Sequence, residues 1–279
     1  MLSFGARLRE VMAEKGQLCL GIDPHPFLLA DWQLSDTPGG VRDFGLRAVD
    51  AAAGVIGIVK PQVAFFERHG AAGYSALEEV LAAARAAGLL VIADVKRGDI
   101  GSTIEAYGSA WLSPGSSLEA DAMTLSAYQG VDSLAAPLSL ADDAGKGVFI
   151  LAATSNPESV STQTAVRTSG RSVAAGIVDE VGILNEESAG SLGSVGVVIG
   201  ATVHAADYGI ELDSLARTPI LAPGFGEQGA AFADLRLRYG SASGNVIANV
   251  GRGVLRAGPS AVRAELTSSA ERLREAVAS

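Results

Sequence analysis

The stretch "AAGYSALEEVLAAARAAGLLVIADVK", residues 71–96, contains two patterns in one run. Its first part is rich in Ala, Leu, Glu and Arg, with the apolar spacing of a helix that buries one face. Its end, "LLVIADVK" (89–96), opens on continuous apolar residues, as expected of a parallel strand covered on both faces. The same unit recurs along the chain. Apolar runs occupy 17–23, 54–62, 89–96, 121–127, 147–155, 195–202, 218–224 and 245–251, with helix-like segments between them and a final one at 259–279. Eight such units match the count and the length, about 250 residues, of a (β/α)8 TIM barrel. An open doubly wound sheet is the alternative; the even march of units and the lack of a linker favour one barrel domain over 1–279.

Composition narrows the function classes. With 48% hydrophobic and 19% charged residues, the 279-residue chain can bury a sizeable core. A net charge of −10 argues against a nucleic-acid partner and against an anionic membrane surface. The single cysteine, Cys19, excludes an intrachain disulfide, and its apolar surroundings make it a small buried hydrophobe. The N-terminal segment lacks the apolar centre of a signal peptide, and no apolar run reaches the ~18 residues of a membrane span. A cytoplasmic protein is expected. His25, His69 and His204 are scattered without metal-ligand spacing and read as surface or helix-end residues, so no metal is expected.

The strand at 89–96 ends in Asp94, Lys96, Arg97 and Asp99, and charges at a core strand end are costly without a partner or a task. Asp94 and Lys96 are two apart and face the same way on a strand. Asp23 ends the first strand and Lys60 the second, so an alternating charged array is expected at the C-terminal mouth of the barrel, where barrel enzymes keep their active sites. The structural alternative is an ion-pair network that only sets strand register. Two connections are long and polar, after the first strand (24–40) and after the fifth (156–172), and are candidate lids.

"DVKRGDIGST" (94–103) resembles the Asp-x-Lys-x-x-Asp-Ile-Gly-x-Thr signature of the orotidine 5′-phosphate decarboxylase family. "GIDPHP", "VKPQ", "ATSNP", "PGFGEQG" and "NVGRG" follow the family in order at successive strand ends, closest to its longer bacterial branch. The resemblance implies a cofactor-free decarboxylation of orotidine 5′-phosphate to uridine 5′-phosphate in pyrimidine synthesis. It implies Lys96 as proton donor, Asp94 as the group that holds it, and Lys60 and Asp23 at the ribose. Ser155 would recognise the pyrimidine, with Asn156 and the loop after it closing over the base. Gln228, Gly251 and Arg252 would bind the phosphate. It also implies a homodimer in which Asp99 and Thr103 reach the partner's active site.

Three rivals remain. "GFGEQG" (224–229) is formally Gly-x-Gly-x-x-Gly, but position 249 is Asn where a dinucleotide site wants an acid. The magnesium-dependent sugar-phosphate decarboxylases or aldolases of the same superfamily share the acid-x-Lys-x-x-Asp core; Lys60 and the Ile-Gly-x-Thr continuation point away from them. A catalytically dead nucleotide-binding barrel is the third.

Overall fold

The computed structural model describes residues 2–186, 192–227 and 229–278. Eight parallel strands close into a barrel in chain order: β1 (Leu18–Ile22), β2 (Ile58–Pro61), β3 (Leu90–Arg97), β4 (Ala122–Leu125), β5 (Gly147–Ala153), β6 (Val195–Ile199), β7 (Ile220–Pro223) and β8 (Val246–Val250). β8 pairs back onto β1, Asn249 beside Cys19. Each strand overlaps one of the eight apolar runs, so the TIM-barrel reading holds.

Closure separates the two faces of every strand, and alternate side chains enter two different cores. Cys19, Ile58, Ile92, Phe149, Leu221 and Ile247 meet inside the barrel. Their neighbours, such as Leu20, Val59, Val91, Ile150, Ile220 and Ala248, pack outward against the helices.

The N-terminal helix Phe4–Lys15, capped where Ala6 N–H donates to Ser3 Oγ, closes the floor of the barrel. Phe4 and Leu8 are fully buried in the inner core, and Phe4 meets Phe149 edge-on at 6.0 Å. Gly147 permits this approach, because a Cβ there would run into the Phe4 ring. Arg7 then pairs with Asp121 at 2.6 Å and donates to the Gly145 carbonyl, while Asp121 also accepts from Val91 N–H.

The two candidate lids differ. After β1 the chain forms helix Pro26–Asp31 and buries Leu28, Leu29 and Trp32 completely or nearly so; Trp32 Nε1 donates to the Leu255 carbonyl at 2.8 Å. Apolar side chains hidden in a polar-looking stretch anchor it, so this connection is packed down and is not an open lid. After β5, a turn (Pro157–Ser159) and a short helix (Val160–Gln163) bury no side chain. Among the described residues no helix is long and apolar enough to cross a membrane.

Candidate active site

Two residues beyond the inner core, the same inward face turns polar. Lys60 follows Ile58, Asp94 follows Ile92, Thr124 follows Ala122 and Asn249 follows Ile247. The period of two that built the apolar core therefore stacks a polar layer on top of it. Lys60, with its side chain 5% exposed, places Nζ 2.6 Å from Asp94 Oδ2, and Lys96 Nζ pairs with the other oxygen of the same carboxylate. Burial alone would favour a neutral Asp94, but the two lysine charges outweigh it and hold the carboxyl well below the usual carboxylate range. Burial likewise opposes a charged Lys60, yet Asp94 and Asp23 together raise its pKa above the ordinary lysine value. Both groups are thus ionised at neutral pH. Beneath them burial pushes the Cys19 thiol up to about 12, as suits an unreactive core residue.

Strand alternation is not the whole reason that Lys96 reaches Asp94. The register of β3 on β4 shifts between Ala93 and Arg97, and Lys96 adopts φ +47°, the left-handed region. That conformation costs a side-chain-bearing residue about 1–3 kcal/mol and persists where neighbours enforce it. Thr124 is one such neighbour: its Oγ1 accepts from Lys96 N–H at 2.9 Å and donates to Asp94 Oδ1 at 3.1 Å. Gln62 is another. With its carboxamide nitrogen turned to Asp94 it donates to the Asp94 carbonyl at 2.7 Å, and its oxygen accepts from Lys96 Nζ at 3.3 Å; the reverse orientation would set oxygen against oxygen. Sequence reasoning missed both roles. Thr124 was visible as the lone polar residue of "AMTL", and Gln62 as the end of "VKPQ".

Asp23, Lys60, Asp94, Lys96, Ser155, Gly251 and Arg252 line one cavity of about 610 Å³, together with Gln62, Thr124 and Asn249. A larger hollow, about 810 Å³, lies between Phe225, Phe232 and helix Val262–Ala278 but contains none of the barrel-mouth charges, so the chemistry selects the smaller one. Within it Asp23 Oδ1 and Asn249 Oδ1 are buried without a hydrogen-bond donor. Unpaired acceptors at this depth are costly unless a ligand supplies the donors, as sugar hydroxyls do. Gly21 leaves Asn249 room, since a Cβ there would stand 3.3 Å from its Oδ1.

On the other side of the cavity, Gly251 precedes the helix Arg252–Leu255, and Arg252 makes no ion pair among the described residues. The loop after β7 folds back by a Gly226 N–H bond to the Ala230 carbonyl and presents Gly224, Phe225 and Glu227. Gln228, expected at the phosphate, lies outside the described residues. Asn156, Ser159, Thr162 and Gln163 of the loop after β5 border the cavity too, and Gln163 fastens the loop by accepting from Thr154 N–H.

Asp99 and Thr103, which the resemblance assigns to a partner's site, do not line this cavity. Asp99 accepts from its neighbour Ile100 N–H, and Thr103 is exposed on the following helix Gly101–Leu112. The three histidines each stand at a helix start: His25 before Pro26–Asp31, His69 before Gly70–Ala86, and His204 before the turn Ala205–Tyr208.

Comparison with known proteins agrees with this geometry. Residues 16–266 match the model of the orotidine 5′-phosphate decarboxylase / HUMPS family. The orotidine 5′-phosphate decarboxylase of Salinispora arenicola is 48% identical over 98% of this chain and 96% of its own length. That of Streptomyces coelicolor is 47% identical over 99% of both. A Streptomyces avermitilis crystal structure, provisionally described as the same enzyme, superposes with a TM-score of 0.95 at 48% identity, covering 100% of this chain and 97% of the other. The Leishmania donovani enzyme gives 0.80 at 30% identity over the full length of both. A charged layer at the mouth of a closed barrel, a family match over most of the chain and relatives matched nearly end to end lead to one conclusion: this chain belongs to the orotidine 5′-phosphate decarboxylase / HUMPS family.

Proposed function

We propose that the protein decarboxylates orotidine 5′-phosphate to uridine 5′-phosphate, the step that yields uridine monophosphate in pyrimidine synthesis. The observation that carries this reading is the Lys60–Asp94–Lys96 array, two members buried and Lys96 exposed to a nucleotide-sized cavity. When the carbon–carbon bond to the carboxylate breaks, its electron pair stays on the ring carbon and carbon dioxide leaves. A preorganised ammonium stabilises that developing charge without reorganising, and then protonates the carbon. Lys96 is the donor: its side chain is the exposed member of the array, 45% accessible, whereas Lys60 is sealed beneath. Asp94 holds both lysines charged and in place. Asp23, with Lys60, receives the ribose hydroxyls, Ser155 the base, and Gly251, Arg252 and Gln228 the phosphate. Curated relatives at 46–50% identity carry the decarboxylase name, which favours this reaction over the magnesium-dependent sugar-phosphate branch.

The same reading takes all 279 residues as one domain that works in the cytoplasm as a homodimer. Asp99 and Thr103 lie outside the lining of their own cavity, on either side of Ile100, which is 60% exposed. Ser126 N–H donates to the Arg97 carbonyl, so the β4 loop with Tyr128, 88% exposed, leaves next to them. Such apolar exposure around an acidic residue suits a second copy that receives Asp99 and Thr103 in its own site.

The test is ultraviolet absorbance of the purified protein with orotidine 5′-phosphate, with and without EDTA. Conversion to uridine 5′-phosphate unaffected by chelation is expected. Activity lost on chelation, or turnover only of sugar phosphates with magnesium, would overturn the assignment.

A further inference from the structure

The phosphate side of the cavity contains an acid. Glu227 sits in the glycine-turned loop after β7 and borders the same cavity as Gly251 and Arg252. A carboxylate in that position opposes a phosphate monoester dianion in two ways, by direct repulsion and by competing for the Arg252 guanidinium. The structure shows a separate cation engaged with it. Arg256 Nη1 donates to both Glu227 oxygens, at 2.9 and 2.8 Å. Arg256 lies one helical turn beyond Arg252, its N–H bonded to the Arg252 carbonyl at 3.0 Å. The two arginines thus leave the same short helix, one unpaired among the described residues and one spent on Glu227.

Arg256 is itself held from the far side. Its guanidinium carbon stands 5.3 Å from the centre of the Phe27 ring, which is 41% exposed, and Phe27 stacks on His25 at 5.3 Å. His25 in turn meets Phe65 at 4.3 Å. Burial lowers the His25 pKa, as do the charges of Arg252 and Arg68 against the pull of Asp23, so the ring stays neutral and adds no competing charge. An arginine over an aromatic face keeps a preferred direction at little entropic cost. A surface ion pair of this exposure contributes little to stability, which makes a charge role the better account of its geometry.

We propose that Arg256 is a positioning residue for phosphate recognition: it neutralises Glu227 and draws it off Arg252, so that the dianion meets an unopposed cation. The proposal rests on the decarboxylase reading and its phosphate placement.

The experiment measures kcat and KM for orotidine 5′-phosphate and for orotidine, its phosphate-free nucleoside, in wild type, Arg256→Ala, Arg256→Gln and Arg256→Ala/Glu227→Gln. Wild-type conversion of orotidine 5′-phosphate is the control; its failure would remove the functional reading itself. With that control intact, both single variants are expected to raise KM for the nucleotide at least tenfold, with kcat within about threefold of wild type. Turnover of orotidine should not change, and Glu227→Gln should return the nucleotide KM to within about threefold of wild type. An unchanged KM, an equal loss on orotidine, or a loss that Glu227→Gln does not rescue would each overturn the proposal. The last two would leave Arg256 as a purely structural contact. The Arg256→Gln variant keeps part of the stem over Phe27 and guards against loss through misfolding alone.

Discussion

At the floor of the barrel, Arg7 donates to Asp121 and to the Gly145 carbonyl, and Asp121 also accepts from Val91 N–H. At the mouth, Asp94 lies between two lysines, Lys96 has a left-handed backbone, and Asp23 and Asn249 each bury an oxygen with no donor. Both ends hold charge, the floor on the N-terminal helix and just ahead of β4, the mouth on β2 and β3. The floor satisfies its groups and closes over them with Phe4 and Leu8; the mouth leaves acceptors unpaired and holds a half-exposed ammonium on a left-handed backbone. Charge that is fully paired serves the fold, whereas charge held ready and incompletely paired awaits a ligand.

The largest test of that contrast removes a lysine at the mouth and, separately, an arginine at the floor. Lys96→Ala is expected to lower kcat by at least about 10⁴-fold, the combined scale of a lost proton donor and a lost electrostatic stabiliser. Arg7→Met should cost stability yet leave the rate within about threefold, read by initial-rate absorbance with circular dichroism for folding. Comparable losses of rate from both would break the comparison.

Stability sharpens it next. Asp94→Asn strands Lys60 in a site that is only 5% exposed and should cost about 3–5 kcal/mol by urea unfolding, because an uncompensated buried charge remains. Asp121→Asn should cost about 1–3 kcal/mol, since Arg7 is 27% exposed and can turn to water. The pH dependence follows from sign. The Asp94 pKa is depressed in the folded protein, so its contribution is full above the unfolded carboxylate pKa, about 3.9, and declines as pH falls toward the folded value. The stability gap between wild type and Asp94→Asn should therefore narrow from about pH 4 to pH 3. A gap that widened on acidification would contradict the pairing.

A smaller effect is expected at the phosphate side. Arg252→Ala removes one cation from a site that also offers backbone N–H groups, and should raise KM about 10–100-fold with kcat less affected. The smallest concerns Cys19, whose thiol is pushed up to about 12 by burial. It should resist a thiol reagent at pH 8 until the protein is unfolded with urea; rapid labelling of the native protein would mean that the inner core is open.

Much of this was legible in the chain alone. The eight apolar runs located the eight strands, because a strand covered on both faces needs a continuous apolar run. The period of two set Asp94 and Lys96 on one face, and the ends of the first two strands added Asp23 and Lys60 to the mouth. The connection after β1 misled, since its polar residues outnumber Leu28, Leu29 and Trp32, and only packing reveals which few side chains anchor a loop. Thr124 and Gln62 were invisible as partners of Lys96 for a similar reason: their roles come from strands adjacent in space and 28 or more residues away in the chain.

What the sequence by itself determined is therefore periodic: strand positions, inward faces, the layer at which apolar gives way to charge, and a motif specific enough to imply a family. What only the tertiary structure decided is angular and pairwise. The left-handed turn at Lys96, the sharing of Asp94 by two lysines, the orphaned oxygens of Asp23 and Asn249, and the engagement of Glu227 by Arg256 depend on barrel closure. Closure sets β3 against β4 and β8 against β1, and a chain read in one dimension holds no information on such distances.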